Sequence, residues 1–93
     1  MADDGGAYAA QMGHEFLRQH PGKTRGVWGA DYAWGRSVLI FPESEWDEVI
    51  SRLSAAGISY FGRATLAGTP PAVATTVASV DENQLRPIIS AGP

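Results

Sequence analysis

Residues 37–62, SVLIFPESEWDEVISRLSAAGISYFG, decide the fold. Ser37–Phe41 is a short continuous apolar run of the kind that forms a buried strand, and Pro42 ends it. Trp46, Val49, Ile50 and Leu53 then recur at i, i+3, i+4 and i+7, which puts one apolar stripe on a helix over 44–56. Ser44 followed three residues later by Asp47 approximates a capping box. Glu43, Glu45, Asp47 and Glu48 crowd the first turn, where the helix dipole favours negative charge. Gly57 suits the position just past a helix end, and Ile58–Arg63 leaves as a second strand. The two strands of such a unit run parallel, either adjacent or astride one intervening strand, with a right-handed crossover.

Working outward, Tyr8, Met12 and Phe16 recur at i, i+4, i+8 and are widened by Ala9 and Leu17, so a helix over 5–19 with Asp4 as N-cap is expected. Arg18 and His20 suit its C-terminal end, and Pro21-Gly22 stops it. Thr24–Trp28 and Tyr32–Phe41 are expected to pair as a hairpin about Gly29-Ala30-Asp31. Beyond the central unit, 66–71 (LAGTPP) reads as a loop. Residues 72–80 (AVATTVASV) read as a strand rich in β-branched residues, with Val73, Thr75, Val77 and Ser79 on one face and Ala74, Thr76, Ala78 and Val80 on the other. Both faces are apolar enough to be partly covered. Asp81–Gln84 reads as a polar turn, and Leu85–Ser90 as a last strand that Pro87 confines to an edge. Residues 1–6 and 91–93 read as frayed ends.

The sum is one α+β domain over 1–93: a two-layer sandwich with an approximately five-stranded, mostly antiparallel sheet and two helices on one face, a βαβββ-like core preceded by an N-terminal helix. An exposed sheet face in so small a chain is often closed by a second copy, so a homodimer is expected.

Composition narrows the function. In 93 residues, 44% are hydrophobic and 18% charged, the balance of a folded domain rather than a disordered chain. The absence of Cys excludes a disulfide scaffold, a zinc-thiolate site and a cysteine nucleophile. No apolar run reaches the length of a membrane span, and MADDGG does not open a secretory signal, so a cytoplasmic protein without membrane attachment is expected. A net charge of −3 argues against nucleic acid as partner.

The most unusual composition lies in residues 22–36, GKTRGVWGADYAWGR, where three large rings, two arginines and a lysine alternate with glycine. Aromatic faces hold a planar ligand, arginine holds an anionic group, and glycine permits close approach. Arg25, Trp28, Tyr32, Trp34 and Arg36, with Tyr60, are therefore the candidate binding residues; the alternative is that the indoles merely complete a small core. Catalysis has no positive support. His14 and His20 are six apart, not the four of a helical metal pair, no third ligand is evident, and no nucleophile elbow occurs. The acidic residues near 43–48 are explained by the helix dipole. No metal or cofactor is expected. The leading expectation is a non-catalytic module holding a planar or aromatic small molecule. A protein-binding inhibitor or adaptor of the immunity, antitoxin or counter-defence type would use the same rings as interface anchors, and a small ferredoxin-like enzyme is the third class.

Residues 37–90 also resemble a half-module of the vicinal oxygen chelate superfamily, which includes glyoxalases and bleomycin-resistance proteins. The likeness rests on SVLIF, on EWDEVISRLSAAGISYFG, and on SVDENQLRPIIS, where Asp81, Asn83 and Leu85 occupy places comparable to the turn before that module's last strand. Arg86 stands where the metal-binding Glu of that strand is usual, so the resemblance implies a metal-free, drug-sequestering version built from paired modules.

Overall fold

The computed structural model describes residues 4–31, 36–78 and 82–90. In chain order the elements are α1 (Asp4–Gln19), β1 (Gly26–Asp31), β2 (Arg36–Pro42), a 3₁₀ turn (Glu43–Glu45), α2 (Trp46–Ala55), β3 (Tyr60–Leu66), β4 (Ala72–Ala78) and α3 (Glu82–Ser90). They form a small α+β domain around one four-stranded sheet of order β1-β2-β4-β3, antiparallel at every pairing.

The expected strand–helix–strand unit is present. β2 and β3 both run antiparallel to β4, which lies between them, so they are parallel to each other astride it. Residues 37–41 are buried, as their unbroken apolar run requires. Val49 and Leu53 of α2 are fully buried, and Trp46 and Ile50 flank them. The capping box does not form. The residue preceding α2 is Glu45, and no side chain caps the helix there; Ser44 lies exposed in the 3₁₀ turn. The C-terminal end follows the sequence closely. Gly57 adopts φ +74°, and the N–H groups of Ile58 and Gly57 donate to the carbonyls of Leu53 (2.9 Å) and Ser54 (3.0 Å). These two bonds make the reversed turn that a glycine permits.

Alternation along β2 and β4 divides the core. Leu39, Phe41, Val73 and Val77 meet Val49, Leu53, Leu85, Ile88 and Ile89 from α2 and α3 on one face. Val38, Ile40, Ala72 and Ala74 meet Ala9 and Phe16 of α1 on the other. Two helices do share one face, but the pair is α2 with α3; α1 lies on the opposite face rather than beside α2. Helices thus lie on both faces of the sheet, while β3 keeps Tyr60 and Phe61 exposed. Burying each large aliphatic side chain contributes about 1.5–3 kcal/mol, so both clusters matter to stability.

Three other expectations are corrected. The sheet has four strands, not five, because Leu85–Ser90 is the body of α3. Leu85, Ile88 and Ile89 are buried at helical i, i+3, i+4 spacing, and that side-chain pattern prevails over Pro87, which sits within the helix. The segment likened to the last strand of a vicinal oxygen chelate module is this helix. The β1–β2 hairpin forms, with Gly26↔Ile40 and Trp28↔Val38 in register. Gly29–Asp31 continues β1 through a register shift instead of turning, and residues 32–35 lie outside the described residues. Asp4–Gly6, expected to fray, belong to α1; residues 1–3 and 91–93 lie outside the described residues. No helix among the described residues is long and apolar enough to cross a membrane.

Candidate ligand-binding site

The rim of the sheet at β1 holds a cavity of about 390 Å³, within the size range of small-molecule sites. Its construction begins at the end of α1. Phe16 is buried against the sheet, and His20 follows one helical turn later, with the two ring centroids 5.0 Å apart. The chain then reverses, with the Lys23 N–H donating to the His20 carbonyl at 3.1 Å, and enters β1 at Gly26. Gly26 is required there: a Cβ at this position would stand 2.4 Å from Cε1 and Cζ of Phe16.

Two residues along β1, Trp28 shares the face of Gly26 and completes a three-ring group. Its centroid is 5.9 Å from that of Phe16 at 67° and 5.2 Å from that of His20 at 80°, both edge-to-face arrangements. Trp28 is half-buried, so part of its surface faces the hollow. Val27 on the opposite face, with Ile89 and Arg86 of α3, closes the other side, and Lys23 and Arg25 line the approach.

Arg25 is fixed. Its guanidinium donates to both carboxylate oxygens of Glu45, at 2.6 Å for Oε1, and to the Ile89 carbonyl at 2.9 Å. The hydrogen bonds from Arg25 hold the Glu45 carboxyl below the usual carboxylate range, and those to Glu45 raise the guanidinium further. Arg52 does likewise from α2, donating to the Ile88 carbonyl at 2.9 Å and to Glu48 Oε2 at 2.7 Å. Two arginines thus hold the last carbonyls of α3, the groups a helix C-terminus leaves unpaired.

Of the six residues expected from sequence to form the site, the structure brings Arg25 and Trp28 together. Arg36 is at the far end of the hairpin, opposite Asp31, with its guanidinium 5.5 Å over the Tyr8 ring. Tyr60 does not join them: it lies on β3, at the other rim, edge-on to Trp46 at 5.8 Å, where Arg63 also covers the indole at 4.4 Å. Tyr32 and Trp34 lie outside the described residues. Phe16, His20, Lys23, Arg86 and Ile89 were not expected. Of these, the i, i+4 spacing signalled Phe16 and His20, and the unusual composition of 22–36 already included Lys23. Among the described residues, no group of three His, Cys, Asp or Glu side chains comes together as a metal site would require. Compared with family models, with curated proteins and with solved structures, the chain matches none.

Proposed function

We propose that this protein is a non-catalytic binding module that holds a planar or aromatic small molecule against Phe16, His20 and Trp28 at the β1 rim. One observation carries the reading: three rings converge on a 390 Å³ hollow that Val27, Ile89 and basic side chains also line. A flat ligand there gains ring contact on one side and apolar burial on the other. Because one chain supplies all of these walls, the cavity does not need a second copy to be complete.

Indole is a suitable neutral probe, followed by ¹H–¹⁵N correlation spectra. Shifts confined to residues 16–28 and 86–89 support the reading. Unchanged spectra at millimolar indole, or shifts centred elsewhere, overturn it.

The second reading, association with another copy of the chain, rests on β3. Tyr60 and Phe61 are 40% and 42% exposed on this edge strand, and exposed apolar edges favour pairing. Sedimentation equilibrium of the protein and of Phe61→Lys tests it: a dimer lost in the variant supports the reading, and a monomer throughout ends it.

A further inference from the structure

α3 is at once a wall of the hollow and a helix that cannot stand alone. Its Ile89 lines the hollow and is also buried in the core beside Leu85 and Ile88. The helix has nine residues, fewer than the about 12–15 at which an isolated helix becomes marginal in water. Pro87, in its interior, has no N–H to close an internal bond. What holds α3 is therefore what it touches. Its three apolar side chains pack against β1, β2 and α2, and Arg25 and Arg52 bind the carbonyls of Ile89 and Ile88 in its last turn.

Both arginines are braced from the same side. Glu45, in the turn before α2, accepts from Arg25, and Glu48, in the first turn of α2, accepts from Arg52. The two differ in one respect: Arg25 lines the hollow, and Arg52 stands outside it.

Resting on the binding reading above, we infer that α3 is a gate of the hollow, with its last turn undocking from Arg25 and Arg52 and a guest holding it docked. A guest seated against Trp28 meets Ile89 only while that turn is in place. It therefore binds the docked arrangement better, and such a difference in affinity is what shifts an equilibrium. The opening is local: the four-stranded sheet stays paired while one short helix leaves it.

Amide hydrogen exchange of the full chain, with and without indole, tests the gate. Without a guest, the amides of Ile88 and Ile89 should be protected about tenfold or more weakly than those of β2 and β4, which are bonded to a strand on either side. With indole at about ten times its Kd, their exchange should slow about tenfold, the factor by which a guest of one state alone suppresses the other. Arg52→Gln, which loosens the last turn from outside the hollow, should speed that exchange about tenfold. Should this variant fail to fold, Pro87→Ala, at an exposed position, should slow the exchange instead. Three results overturn the gate while leaving the ring site standing, provided that indole still shifts the spectra at the hollow. They are α3 amides as protected as those of β2 and β4, exchange indifferent to saturating indole, and exchange unchanged in the folded variant. No binding of indole overturns both.

Discussion

Gly26 lies directly beneath the ring of Phe16, so close that a single added methyl group would stand 2.4 Å from two of its ring carbons. The ring rests on bare backbone, and its position sets where His20 and Trp28 meet it. Gly26→Ala should therefore displace Phe16 and destabilise the protein by about 1–3 kcal/mol, the usual cost of overpacking. Urea unfolding measures this, and an unchanged midpoint would show that the ring moves aside freely.

Trp28→Ala removes one wall of the hollow while leaving the fully buried side chains in place. Binding of indole should weaken about tenfold, as for an aromatic anchor, with the far-ultraviolet circular dichroism preserved. Should the variant instead unfold while binding per folded molecule is retained, Trp28 is a core residue and the site lies elsewhere.

Leu53 is fully buried between α2 and the sheet. Leu53→Ala should cost about 2–5 kcal/mol through the cavity left behind. A loss below about 1 kcal/mol in chemical denaturation would be too small for a fully buried leucine.

The Glu45 carboxyl, depressed by its hydrogen bonds from Arg25, predicts a pH dependence. A group whose folded value lies below its unfolded value of 4.5 contributes stability that is complete above that value and is lost as pH falls through the folded one. The side chains are 38% and 28% exposed, so the contribution is held to about 1 kcal/mol or less. Unfolding midpoints at pH 7 and pH 3 should converge between the protein and Glu45→Gln at the acid end. Parallel curves would mean that the pair does not form in solution.

Pro87 lies inside α3, where it cannot donate the backbone bond that other residues supply. Pro87→Ala should raise stability by about 1 kcal/mol or more if the segment is helical, read as an increase in melting temperature. A decrease would favour an extended Leu85–Ser90.

The central unit was legible because its signals are local. The apolar run of 37–41, the stripe of Trp46, Val49, Ile50 and Leu53, and Gly57 each specify one element without reference to the rest of the chain. α3 was misread because Pro87 marks a strand edge and an interrupted helix equally well, while the Leu85, Ile88, Ile89 spacing separates the two. The apolar character of both faces of 72–80 implied cover on each, yet the two helices were expected on one face, because no local pattern says which side of a sheet a helix takes. Arg25 and Trp28 were visible as unusual composition. Arg86 and Ile89 reach the same hollow from some sixty residues away, and no local pattern encodes that meeting. Tyr60 shared only its chemistry with the site; strand order placed it at the other rim.

That strand order has a consequence for how the molecule can be used. With β1 and β3 at opposite rims, the ring-lined hollow and the Tyr60–Phe61 edge are separated by three strand spacings, about 14 Å. Under the two proposed readings, a guest at the first would leave the second free, so each can be blocked by substitution while the other is assayed.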